Sequence, residues 1–198
     1  MKTLHHLVAA SVVAASALLG LASAPAQATP VVIDVGGAQS INLQGEAGNT
    51  VWFIDVGANA ALNSLSWSLD LNAFAPSVLS EMQVSFGGSS GLDLLTFAPG
   101  GADFASGTGS YSGSLDLSPL GLGVGADGLL RLEFSEAYKD FAIDVAEGEW
   151  LQGSLTFDVT ASAVPEPASA ALVLLGLGLI GIRTRRAHAQ TARRRVVG

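Results

Sequence analysis

The sequence has no cysteine. Disulfides, thiol nucleophiles and thiolate metal sites are therefore excluded, and any fold must be held by packing and hydrogen bonds alone. Histidine is nearly as scarce. His5, His6 and His188 are the full set, so residues 29–163 lack the commonest general base and metal ligand. Positive charge is missing from the same stretch, where Arg131 and Lys139 stand against sixteen Asp and Glu, a local charge of −14. A surface of that sign repels nucleic acid and anionic headgroups and suits solubility, divalent cations or a basic partner. Also missing between Val31 and Thr160 is any amphipathic helical stripe longer than about two turns.

Apolar residues, by contrast, are in excess. A mean hydropathy of +0.46 with 13% charged residues is unusual for a soluble chain of 198 residues. The excess is concentrated in two blocks, Leu7–Leu21 and Ala168–Ile182. The length suffices for one domain with a real core, and the end segments consume what a second would need.

Residues 1–28 have the layout of a secretory signal. Lys2 and two histidines precede an uncharged apolar run, followed at once by small residues. Ala22-Ser23-Ala24 fits the small-x-small cleavage rule, but Pro25 would follow the cut, where its ring suits a protease poorly. Ala26-Gln27-Ala28 is the better site, giving cleavage by signal peptidase after Ala28. The competing reading is an uncleaved N-terminal anchor, for which the run is short.

Residues 164–198 have three parts: Val164-Pro165-Glu166-Pro167, the apolar stretch 168–182, and a basic tail 183–198 with Arg183, Arg185 and Arg186 at the helix flank. Fifteen residues at about 1.5 Å each make a helix of roughly 22 Å, short of a hydrocarbon core of roughly 30 Å. Such a helix spans only with bilayer thinning or snorkelling arginines. Six arginines beyond the helix and none just before it place the tail in the cytoplasm and residues 29–163 outside. The two prolines keep Val164 and Glu166 extended, the form in which proteases generally bind peptides.

Pro-Glu-Pro, a short apolar helix and an arginine cluster, combined with a signal peptide, resemble the PEP-CTERM sorting signal over about Val164–Arg195. The resemblance implies recognition and cleavage by an exosortase at Pro165, Glu166 and Pro167, with the membrane helix as a transient anchor. It further implies delivery to the cell surface or beyond, and a link to exopolysaccharide and biofilm. The tail Ala187–Gly198, with a second arginine cluster, makes the ending less compact than the family's. A permanently anchored single-span protein, with the prolines a mere stem, is the alternative.

Residues 29–163 read as all-β. Nine β-favouring runs are expected at Val31–Val35, Ser40–Leu43, Val51–Val56, Leu65–Leu71, Met82–Phe86, Leu92–Phe97, Tyr111–Leu117, Leu129–Phe134 and Leu155–Val159. Short strands without crossover helices predict an antiparallel two-layer β-sandwich, jelly-roll-like, with one helical turn at Ser135–Asp140. Trp67 and Trp52 are expected in the core, leaving Trp150 with the best claim to exposure as a sugar platform.

Without His or Cys, catalysis would need paired carboxylates. The densest acidic stretch is Glu133, Glu136, Asp140, Asp144, Glu147 and Glu149, which a solvated acidic face explains equally well. Calcium could be held by Gly-rich loops such as Gly100-Gly101-Ala102-Asp103 and Gly125-Ala126-Asp127-Gly128, but neither follows an EF-hand or a nonapeptide repeat. Gly121-Leu122-Gly123-Val124-Gly125 lacks the Lys and Ser/Thr of a phosphate loop and reads as a connection. The expectation is a non-enzymatic exported protein with no cofactor and no nucleic-acid partner, its alternatives being a carbohydrate- or calcium-binding module or an extracellular glycosidase.

Overall fold

A computed structural model describes residues 27–162. They form nine strands and one 3-10 turn at Ser118–Leu120. In chain order the strands are β1 Ala28–Asp34, β2 Ala38–Ser40, β3 Thr50–Asp55, β4 Ala61–Ala73, β5 Met82–Gly88, β6 Leu94–Phe97, β7 Gly107–Asp116, β8 Leu129–Glu136 and β9 Gly148–Thr160. All nine expected runs overlap a strand, and every strand pair is antiparallel. One sheet has the order β1-β9-β4-β7, with β2 continuing the β1 edge along β9; the other has the order β3-β8-β5-β6.

Two expectations are corrected here. The second strand lies at Ala38–Ser40, because residues 41–43 leave β9 to begin a loop, 41–49, with Leu43 making a single bridge to Glu136 of β8. The helical turn at Ser135–Asp140 does not form. Ser135 and Glu136 instead finish β8, paired with Gln83 and Met82.

Period-two alternation selects the core. On β8, Leu130, Leu132 and Phe134 are buried, and on β5 Met82, Val84 and Phe86, with Leu132 opposite Phe86 and Phe134 opposite Val84. The apolar faces of both sheets feed one cluster. Phe86 meets Phe157 edge-on at 5.0 Å, and Phe134 meets Trp150 at 5.0 Å. Each such pair contributes about 0.5–1.5 kcal/mol beyond area burial.

Alternation breaks at two places in the β4–β9 ladder. Leu62 and Leu65 are three apart yet both buried, and the register shifts between Leu62 and Ser64. The second shift sets Asp70 opposite Gln152 and Leu71 opposite Trp150, making Leu151 the extra residue of a β-bulge. Gly153 beside it has φ +113°, and a Cβ there would lie 2.1 Å from the Ser68 carbonyl oxygen. Only glycine allows so close an approach.

Candidate functional site

The residues that carry the sorting argument, Pro165, Glu166, Pro167, Arg183, Arg185 and Arg186, lie outside the described residues, as do the apolar segments 7–21 and 168–182. No helix among the described residues is long and apolar enough to cross a membrane. Ala28, the expected last residue of the signal peptide, opens β1 opposite Thr160, the last residue of β9. The first residue of β1 and the last of β9 therefore lie at the same end of the sheet.

The acidic stretch is not the solvated face that its composition suggests. Glu133 and Glu136 are 1% exposed and Glu147 is 0% exposed, while Asp140 and Asp144 face solvent. Glu133 points away from the core, on the outer side of β8, and loop 41–49 covers it. Gly45 N–H and Asn49 Nδ2 donate to its Oε1 at 2.7 and 2.8 Å. Arg131 Nη1 lies 2.8 Å from Oε2, an ion pair whose angles fall outside hydrogen-bond geometry. The loop is further tied down where Thr96 Oγ1 donates to Gln44 Oε1 at 2.9 Å.

A second buried group lies where β8 ends and β9 begins. Lys139 Nζ pairs with Glu147 Oε1 at 2.7 Å and donates to the carbonyls of Val145, at 2.8 Å, and Ile41. Glu147 also accepts the backbone N–H groups of Asp140 and Phe141. Burial pushes the Glu147 carboxyl up, but the Lys139 and backbone donors outweigh it and hold it below the ordinary value. Glu136 has less, only the Ser40 hydroxyl and the Lys139 charge to lower it. Burial first, and the charge of Glu147 second, push it up to about 8.

Buried carboxylates of this kind are built into the fold. No substrate reaches Glu133, Glu136 or Glu147 while the segments 41–49 and 137–147 stay closed, and a glycosidic acid–base pair has to touch the scissile bond. Sequence reasoning missed their burial because alternation along a strand tells which side a residue faces. It does not tell whether a loop crosses that side.

The tryptophans fall out differently from expectation. Trp52 is half-buried edge-on against Phe134 at 4.8 Å, and Trp67 packs at the core margin on Phe97 at 4.9 Å. Trp67 lies over its cross-strand partner Gly113, where a Cβ would come within 2.6 Å of the ring. Trp150, with the best claim to exposure, has none. It is fully buried and donates Nε1–H to Ser40 Oγ at 3.3 Å. Counting in twos back from Phe157 and Leu155 puts Trp150 outside; the bulge at Leu151 turns it in and leaves Leu151 40% exposed. Trp150 therefore offers no sugar platform.

The proposed calcium loops spend their oxygens internally. Asp103 accepts from Tyr111 Oη at 2.7 Å and from Ala105 N–H at 3.0 Å. Those bonds hold the Asp103 carboxyl below the ordinary value, Tyr111 contributing most, while burial and Asp103 push the Tyr111 phenol up to about 12. Asp127 accepts from Ser89 Oγ at 2.5 Å and from Leu129 N–H at 3.3 Å. Among the described residues no three acidic or imidazole side chains are grouped to hold a metal ion.

The outer face of the larger sheet is different in kind. Ser64, Ser66 and Ser68 on β4 stand beside Asp116, Ser114 and Ser112 on β7 and beside Asp158, Thr156 and Ser154 on β9. Beside the bulge lies a shallow depression of about 160 Å³ lined by Ser68, Leu69, Asp70, Gln152 and Gly153. The Asp70 carboxyl is held below its ordinary value by Ser110 first and Gln152 second.

Residues 163–187 match the family model of the PEP-CTERM protein-sorting motif. No curated protein matches the chain. Among solved structures, dimeric latent PorU from Porphyromonas gingivalis is 12% identical with a TM-score of 0.34, over 72% of this chain and 14% of that one. The VP2 subviral particle of infectious bursal disease virus is 14% identical with a TM-score of 0.31, over 74% of this chain and 36% of that one. Tomato aspermy virus gives 13% identity and a TM-score of 0.31, over 83% and 97%. The chain thus spans well under two thirds of the first two, and likenesses this weak say nothing about what it binds or does.

Proposed function

Because the chain carries a PEP-CTERM protein-sorting motif at residues 163–187, we propose that it is an exported, non-enzymatic protein of the cell envelope or extracellular matrix, processed at both ends. Signal peptidase cuts after Ala28. The helix at 168–182 holds the precursor in the membrane for a time, an exosortase cuts near Pro165-Glu166-Pro167, and the β domain passes to the cell surface or medium, where it serves exopolysaccharide or biofilm. The observation that carries this reading is the motif itself.

The fold is compatible with both cuts. The first removes one residue from β1, and the second falls beyond Thr160, where β9 ends. The domain itself we infer to be a β-sandwich of jelly-roll form. Its support is the pair of strand orders β1-β9-β4-β7 and β3-β8-β5-β6, in which chain-order neighbours after β2 mostly alternate between sheets. A non-enzymatic role draws support from the burial of Glu133, Glu136 and Glu147, three of the six carboxylates in the densest acidic stretch.

One observation favours a second reading, a carbohydrate-binding module with the same destination. It is the hydroxyl- and carboxylate-bearing outer face of the larger sheet with the depression at Asp70 and Gln152. Calorimetry of the exported protein with neutral polysaccharides tests it; heat that disappears in Gln152→Ala favours the module, and no heat removes it.

The sorting reading is tested by replacing Pro165, Glu166 and Pro167 with alanine in a host that carries an exosortase. The variant should stay in the membrane fraction while the unaltered chain is released. Equal release of both would overturn the reading.

A further inference from the structure

At the meeting of β8 and β9, Glu136, Glu147, Lys139 and Glu81 come together, and three of the four are satisfied. Lys139 is committed to Glu147 and to two backbone carbonyls. Glu81, in the loop before β5, accepts from Val78 N–H at 3.0 Å and Ser77 Oγ at 3.2 Å. Glu147 has Lys139 and two backbone N–H groups. Glu136 is 1% exposed, and the Ser40 hydroxyl beside it lies outside normal hydrogen-bond geometry, so neither carboxyl oxygen has a well-formed hydrogen bond. A buried anion without a donor costs several kcal/mol, whereas the neutral acid is tolerated at far less cost.

The backbone of Glu136 is also where two loops are fastened. Its N–H donates to the Asn42 carbonyl at 2.9 Å, and it bridges to Leu43. Asn42 and Asp144 exchange a reciprocal pair of hydrogen bonds at 2.9 and 3.0 Å, and Lys139 reaches back to Ile41. The loop 41–49 and the segment 137–147 are thus pinned to each other around this one side chain.

We propose that Glu136 carries a proton in the closed domain and acts as a proton-controlled latch, which on losing that proton releases segments 41–49 and 137–147 from the end of the sheets. The charged groups facing it are Glu147 ahead of β9, Glu81 ahead of β5 and Lys139 after β8, with the neutral Ser40 on β2. Asp140 and Asp144 of the same segment and Glu46 of the loop are exposed at its margin. Lys139 favours ionisation of Glu136 less than it would if free, because Glu147 has already engaged it. The cluster's one cation is spent, which leaves the proton as the means of neutralising Glu136.

The direction follows from linkage. The Glu136 value is about 8 in the closed form against an ordinary 4.5, so the closed form binds the extra proton between those values. Its stabilisation is complete below 4.5 and is lost as pH rises through about 8.

Hydrogen exchange read by mass spectrometry on the full chain in detergent micelles, from about pH 6 to about pH 9 and corrected for intrinsic exchange, tests the latch. In the unaltered chain, protection of 41–49 and 137–147 should fall about tenfold per pH unit until about pH 8 and then level off. In Glu136→Gln, which keeps the shape without the charge, it should hold within about twofold. A carbon-13 titration of the Glu136 carboxyl in the unaltered chain serves as the second readout, with a midpoint expected above about 7. The same pH dependence in both proteins, or a midpoint in the ordinary carboxylate range, would overturn the proposal.

Discussion

On β4 the polar positions Ser66 and Ser68 face solvent, while on β8, in the other sheet, the polar positions Glu133 and Ser135 are buried. Both pairs sit at alternate positions of a strand whose other face feeds the core, so their local patterns are alike. What separates them is the loop 41–49, which crosses one sheet's outer face and leaves the other's open. A covered outer face turns polar side chains from solubilising groups into fastenings. Each must then find a partner inside the protein, as Glu133 does in Gly45 and Asn49 and as Ser135 does not.

The sharpest way to break this comparison is to truncate one residue from each face. Glu133→Ala leaves the Arg131 guanidinium unpaired beneath the loop, together with Gly45 N–H and Asn49 Nδ2, and should cost about 3–5 kcal/mol in urea unfolding. A cost below about 1 kcal/mol would mean that the loop is not fastened there. Gly153→Ala addresses the turning point of the larger sheet. A Cβ 2.1 Å from the Ser68 carbonyl, at φ +113°, should cost about 1–3 kcal/mol or more by the same measure.

The sign of the pH response separates the two buried glutamates. Glu147 is held below its ordinary value, so its contribution is present above that value and is lost as pH falls through the lowered one. Glu147→Gln, though less stable at the start, should therefore show a shallower loss of melting temperature on acidification than the unaltered chain; an unchanged acid limb would contradict this. Smallest of all is Ser66→Ala on the open face, expected to shift stability by no more than about 0.5 kcal/mol. A larger loss would show that the open face is also structural.

Much of this fold was legible in the sequence because strands declare themselves locally. Ser-Leu-Asp-Leu in 68–71 and 114–117, and Leu-Thr-Phe-Asp-Val in 155–159, alternate cleanly, and all but Leu117, one residue past β7, lie in strands. Trp150, the tryptophan with the best claim to exposure, is buried because a single extra residue, Leu151, reverses the count from Leu155; the nearby Gly148 and Gly153 are the available hint of an irregular strand. The helical turn at Ser135–Asp140 was misread because Ser135 and Glu136 are held by β5 partners some fifty residues earlier in the chain, a contact that spacing alone does not reveal. The same is true of the buried carboxylates. Their burial depends on loop 41–49 and segment 137–147 closing over the strands, an encounter set by topology.

The C-terminal segment is legible in the opposite way, since a sorting motif has to be written in consecutive residues. Pro165-Glu166-Pro167, the apolar run and the arginines can be recognised without any fold, and the motif match at 163–187 rests on them. Intact mass spectrometry of the protein recovered from outside a host that carries an exosortase tests that claim most directly. The account predicts a mass for a chain that begins near Thr29 and ends near Pro165–Pro167. A mass that still includes residues 168–198 would contradict it, leaving a stable single-span anchor in place of a sorting signal.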